Sequence, residues 1–163
     1  MKENNYHATL LDTDGNELSC TIRTPKLKLV REFRRAERNL DKLRADYARL
    51  EAQKDQLDGD IKVVEEQLRS KPDDVPLLTQ LKDLYDSQDA IYKLKEANDN
   101  SIYQELIDKA DLVIIYPNKK DVTADPVRTK DDIDWEGSDL REIRGAVDFF
   151  ADQSSSSSFS VTK

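Results

Sequence analysis

One histidine and one cysteine stand in a chain of 163 residues, His7 and Cys20. His7 could act as a ligand or base and Cys20 as a nucleophile, but the pattern around each argues for a quieter role. Tyr6, Ala8 and Leu10 alternate with His7, Thr9 and Leu11, and Leu18, Cys20 and Ile22 alternate on a return stretch. That is the period of two half-buried strands. Cys20 has the parity of its apolar neighbours and reads as a small buried hydrophobe. His7 reads as a surface or packing residue. With one of each, a structural zinc site cannot be assembled within one chain. Asp12-x-Asp14-x-Asn16 has the opening spacing of a calcium loop, yet Glu17 stands where that loop needs glycine and Arg23 where it needs glutamate. Asp14-Gly15 is instead a tight-turn signal between the two strands. The four glycines, Gly15, Gly59, Gly137 and Gly145, form no phosphate-cradling loop. With 34 Asp and Glu, carboxylate pairs arise anywhere and single out nothing. The expectation is no catalytic residue, no metal, no cofactor and no enzyme.

The elements that dominate the chain are helices. From Phe33 an unbroken 3-4-3-4 repeat runs through Ala36, Leu40, Leu43, Tyr47, Leu50, Lys54, Leu57, Ile61 and Val64 to Leu68. Such a repeat predicts a long helix with a narrow seam that packs on another helix. Thr24-Pro25 suits its start, as cap and first helical residue, and places the helix over about 25–68. Lys54 is the one charged seam position, a residue type that often fixes register. Gly59 falls on the outward side. Ser70 to Pro76 then breaks the helix, with an Asp to cap the next one and Pro76 in its first turn. A second helix carries Leu77, Leu78, Leu81, Leu84, Tyr85, Ile91, Tyr92 and Leu94 to about Ala97. The short turn implies that it folds back antiparallel. Asn98-Asp99-Asn100-Ser101 interrupts or bends it, and a further stripe from Ile102 reaches about Tyr116.

After a loop over 117–130, Thr129-Lys130-Asp131-Asp132 has the form of a capping box with Asp in place of Glu. Ser138 is expected to cap a last helix with Leu140, Ile143, Val147 and Phe150 on one face. Trp135 either staples the preceding loop to the core or contacts a partner. The end, 154–163, has six serines in ten residues and reads as a flexible tail. The expected fold class is thus mainly α: an N-terminal β-hairpin (1–24), a long antiparallel coiled-coil hairpin arm (25–97), a C-terminal helical region (98–153) and a disordered Ser-rich tail (154–163).

Charge is unevenly spread. The net charge is -8, but residues 23–54 carry eleven Lys or Arg against five Asp or Glu. That basic stretch is a solvated helix face or a patch for phosphate or a partner. No apolar run approaches the roughly 20 residues that span a bilayer. Met1 to Tyr6 lacks the apolar segment of a secretory signal, and a lone cysteine fits the cytoplasm.

Ile102 to Val113 forms an amphipathic helix. It is followed by Tyr116-Pro117-Asn118-Lys119-Lys120-Asp121-Val122-Thr123, by the Lys130-Asp131-Asp132-Ile133-Asp134-Trp135-Glu136-Gly137 turn, and by a helix from Ser138 to Phe150. That order resembles the tail assembly chaperones of long-tailed phages of Gram-positive bacteria, as does a hairpin followed by proline and a helix. The long hairpin of residues 33–97 departs from the compact family pattern. The resemblance implies a non-enzymatic cytoplasmic chaperone that binds the tape measure protein, helps to recruit tail tube subunits and forms oligomers. It also implies a longer frameshifted product, for which the Ser154–Ser158 run suits a linker. The rivals are a coiled-coil adaptor, scaffold or other phage structural protein, and a small inhibitor or regulator that binds a nuclease or nucleic acid through 23–54. The candidate partner-binding residues are Leu40, Leu43, Tyr47, Leu50 and Leu57 on the seam, with Trp135, Leu140, Ile143 and Phe150. The seam set is shared with a second possibility, closure by residues 77–97 of the same chain. The hairpin edge is a further candidate for self-association.

Overall fold

In a computed structural model, which describes residues 6–120 and 125–155, the chain is mainly helical. The order is β1 (His7–Leu11), β2 (Glu17–Ile22), α1 (Leu27–Ser70), α2 (Val75–Val113), β3 (Ile114–Ile115), a 3-10 turn (Lys130–Asp132) and α3 (Leu140–Ser155). The chain divides into two units, one of 1–39 with 105–163 and the other of Leu40–Gln104.

The first unit is built on an antiparallel sheet in the order β1-β2-β3. Ala8 pairs with Cys20 and Leu10 with Leu18, so the alternation read from sequence puts all four on one buried face. Gly15 takes a left-handed φ of 85° in the turn, which glycine adopts without the steric cost of a Cβ. Helices cover the buried face. Phe33 of α1 meets Phe150 of α3 with ring centroids 4.9 Å apart, and neither is exposed by more than 1%. Burial of each such ring contributes about 1.5–3 kcal/mol. β3 was not expected: Ile114 and Ile115 were read as the end of a helix, yet they pair with Ile22 and Thr21 of β2. Two adjacent isoleucines favour extended backbone once an unpaired strand edge lies beside them.

The other edge, on β1, is also engaged. The Thr9 N–H donates to the Glu142 carboxylate (3.2 Å) and the Leu11 N–H to Ser138 Oγ (2.9 Å). The Leu11 carbonyl accepts from the Asp134 N–H (2.8 Å), and Asp12 bridges to Ile133. The hairpin edge is therefore occupied from within the chain at Thr9 and Leu11, which corrects the expectation of an open edge there. Ser138 also donates to the Asp134 carbonyl (2.6 Å) instead of capping the last helix. Asp139 does the capping, accepting from the Arg141 N–H (2.9 Å). The capping box at Thr129 and Asp132 forms as expected.

The second unit, Leu40–Gln104, is an antiparallel pair of helical segments. Pairings across it run in opposite senses: Glu51 with Lys95, Asp58 with Gln88, Glu65 with Tyr85. Asp74 caps α2, accepting from the Leu77 N–H (3.2 Å), and Pro76 sits in the first turn as expected. Leu40, Ile61 and Val64 of the seam are buried. Leu43, Tyr47, Leu50, Leu57 and Leu68 are half-buried, because one facing helix covers only part of each side chain. Opposite them α2 presents Leu77, Leu81, Leu84, Gln88, Ile91, Lys95, Asn98 and Ile102, again at 3-4 spacing and half-buried. Gly59 faces open space, as expected of an outward position.

Three boundaries differ from the sequence reading. α1 starts at Leu27 with the Lys26 carbonyl accepting from the Val30 N–H (2.9 Å), so Thr24-Pro25 precedes the helix and does not cap it. α2 is unbroken through Asn98-Asp99-Asn100-Ser101 to Val113, since Ser101 Oγ bonds back to the Ala97 carbonyl (3.0 Å) and seam packing overrides weak propensity. α3 extends through Ser154, which is buried, and Ser155. The rest of the expected tail, 156–163, lies outside the described residues.

Candidate helix-docking face

The groups singled out for chemistry are placed apart from any reactive arrangement. Cys20 is fully buried, and burial pushes its thiol up to about 11. His7 is on the opposite, exposed face of the sheet, with Nδ1 3.4 Å from Ser19 Oγ. The Asp12 carboxylate is spent on its own turn: Oδ1 accepts from the N–H groups of Asn16 (2.8 Å) and Asp14 (3.0 Å). These bonds, the Asn16 one foremost, hold its carboxyl below the usual range. The calcium-loop spacing is thus an Asx-type turn. Among the described residues no group of three His, Cys, Asp or Glu is arranged to hold a metal ion. A cleft of about 650 Å³ lies along Arg23, Lys28, Glu32 and Asp111. A second, of about 730 Å³, lies beside the hairpin turn, along Asp12, Asn16, Lys119 and Arg128. Neither contains a His or Cys.

The partner-binding candidates are mostly internal. Leu40 and Phe150 are buried, and Ile143 packs on the core. Trp135 is buried, with Nε1 donating to the Lys130 carbonyl (2.9 Å) and its ring edge-on to Tyr116 at 6.3 Å. It staples the loop, the first of the two readings. Leu43, Tyr47, Leu50 and Leu57 face α2, and Lys95 Nζ sits 5.3 Å from the Tyr47 ring centre. The seam is closed within the chain because α2 carries a complementary 3-4 stripe. Only Leu140 of the nine stays on the surface, 52% exposed.

The surface that remains lies on α2, on a second stripe beside the seam. Val75, Leu78, Lys82, Tyr85, Asp89, Tyr92, Glu96, Asp99 and Tyr103 follow one another at 3-4 spacing. Five are large and apolar or aromatic, and their exposures are 68% (Val75), 46% (Leu78), 42% (Tyr85), 46% (Tyr92) and 40% (Tyr103). At 1.5 Å per residue the stripe is about 42 Å long. The Tyr85 hydroxyl donates to the Glu65 carboxylate (2.6 Å), which raises the phenol pKa and pins the ring against α1. The ring face stays exposed. Scattered apolar residues on a surface are ordinary; these five share one face of α2, with Lys82, Asp89, Glu96 and Asp99 between them.

A second surface stands out by charge. Lys28, Arg31, Arg34, Arg35 and Arg38 occupy one outward face of α1 in the first unit, all exposed. None is ion-paired with a described residue. This is the structural form of the basic stretch read from sequence. Among the described residues no helix is long and apolar enough to cross a membrane. Compared with protein-family models, curated proteins and solved structures, the chain matches none of them.

Proposed function

We propose that this chain is a non-enzymatic, cytoplasmic protein-binding module that receives a helix of its partner on the exposed α2 stripe. The observation that carries the reading is the stripe itself: five large side chains, each at least 40% exposed, on one face of α2, which another helix can follow along its length. Tyrosine supplies broad contact area with few rotors to freeze and is enriched at interface hot spots. Within this class, the resemblance of the hairpin and C-terminal segments to phage tail assembly chaperones favours an assembly chaperone. Its partners would be the tape measure protein, itself helical, and tail tube subunits. Co-expression with a tape measure protein tests it. Wild type keeps that protein soluble and copurifies with it, and the Tyr85→Ser/Tyr92→Ser variant does neither. Equal performance by the two would sink the reading.

A second reading rests on the basic face of α1. Five cations within eleven residues, none ion-paired with a described residue, suit phosphate or an acidic surface, as in the rival of a nucleic-acid-binding regulator. A DNA or RNA shift assay across salt decides it: real phosphate binding weakens steeply between 50 and 200 mM salt by roughly the power of the phosphates contacted.

A further inference from the structure

The α2 stripe is charged as well as apolar, and the sign of the charge says what helix fits it. Its four non-apolar positions are Lys82, Asp89, Glu96 and Asp99. The three carboxylates are exposed and bonded to no described residue. On α1, Glu51, Asp58 and Glu65, seven residues apart, bond to Lys95, Gln88 and Tyr85 of α2. Among the described residues Glu65 is bonded only to the Tyr85 hydroxyl, whereas Glu51 and Asp58 are bonded to Lys95 and Lys54. Against Lys82 on the row and Lys62 beside Asp58, carboxylates still outnumber cations along the apolar row among the described residues.

We propose, resting on the docking reading above, that the occupant is a basic amphipathic helix of a partner protein. It has apolar residues at 3-4 spacing flanked by Lys or Arg, and lies along α2 as a third helix. The apolar side chains would fill the spaces between Leu78, Tyr85 and Tyr92. Cations beside them would neutralise Asp89, Glu96 and Asp99 and can lie over the exposed tyrosine faces. A second copy of this chain is the wrong occupant for the same reason. Two stripes laid face to face set two surfaces of net negative charge together, with Asp89 against Asp89 in the antiparallel register, where Lys82 offsets only Glu96, and this opposes association relative to a basic partner. The stripe's length corresponds to about eight turns of partner helix, so a short peptide would engage only part of it.

The test uses the full chain and two synthetic helices of roughly 28 residues, the length of the stripe. Both have leucine at 3-4 spacing; one is flanked by lysine, the other by glutamate. Fluorescence anisotropy at 50 and 300 mM salt measures their binding, and light scattering reports whether the chain alone is monomeric. The lysine-flanked helix is expected to bind at least about tenfold more tightly at low salt, and high salt is expected to narrow the gap. The variant Asp89→Lys/Glu96→Lys, altered at exposed positions, should reverse the preference. Equal binding of both peptides, abolished by Tyr85→Ser/Tyr92→Ser, would overturn the charge proposal and leave the docking reading standing. Binding of neither peptide, or binding unchanged by the tyrosine variant, would remove both. A chain that self-associates through the stripe, and is made monomeric by the tyrosine variant, would replace the basic partner with a second copy.

Discussion

Asn98 is the weak point of the helical pair, and its replacement by leucine should stabilise the protein. It occupies a seam position of α2 between Lys95 and Ile102, and its Oδ1 is buried without a hydrogen-bond partner. Whichever way the amide is turned, one end of it lies where water does not reach. A buried polar atom left unpaired costs about 1–3 kcal/mol relative to its hydrated state. Leucine removes that cost and adds apolar contact at a half-buried site, so Asn98→Leu should raise the unfolding free energy by about 2 kcal/mol. Urea unfolding followed by circular dichroism reads this as a higher midpoint with an unchanged slope. In a chain of this size the thermal midpoint would rise by about 4–8 °C. An unchanged or lower midpoint would refute the reasoning, because it would mean that the amide finds a partner in the folded state. Light scattering should accompany the measurement. Polar seam residues often act by excluding alternative pairings, and a more apolar seam can gain stability while losing a single oligomeric state.

Three further outcomes follow from the first unit. A Cβ added at Gly145 would collide with the Tyr6 hydroxyl, and Tyr6 stacks on Phe149 at 4.8 Å. Gly145→Ala should therefore cost stability in wild type and cost clearly less once Tyr6→Phe has removed the hydroxyl, which leaves the ring carbon 3.3 Å from the new Cβ; additive urea midpoints in the double variant would contradict it. Asp12 has a folded pKa below its unfolded value near 3.9, so its contribution is present at neutral pH and is lost as pH falls below about 4. Asp12→Asn should flatten the wild-type loss of urea midpoint over that range, and parallel curves would exclude the role. Cys20 stays a buried thiol at pH 8, so Ellman's reagent should react only after denaturant is added; prompt reaction of native protein would contradict the packing.

Much of the architecture is legible in the sequence because it rests on strong periodic signals. The seam from Phe33 to Leu68, the Pro72–Pro76 turn and the β1–β2 hairpin are each over-determined by spacing and turn chemistry. What escapes is decided by tertiary context. Asn98 to Ser101 read as a break because their intrinsic preferences are poor, yet packing along the seam carries α2 straight through. Ile114 and Ile115 become a strand because β2 offers an edge, a fact no local pattern holds. The outer stripe of α2 is in view but merged with the seam. Leu77/Leu78, Leu84/Tyr85 and Ile91/Tyr92 are adjacent pairs, of which the first member faces α1 and the second faces outward. Two interleaved 3-4 stripes look like one broad apolar face until the position of α1 is known. Extending the outer set to Val75 and Tyr103 is the signal that would have separated them.

The central claim is that the outer stripe of α2 binds a helix. The most direct measurement places a photo-crosslinking residue at Tyr92 and, separately, at Ser87 on another face of the same helix, in the full chain mixed with the lysine-flanked peptide. Efficient crosslinking is expected from position 92, little from position 87, and loss of the product when Leu78 and Tyr85 are changed to serine. Equal yields from the two positions, or a product indifferent to Leu78 and Tyr85, would contradict it.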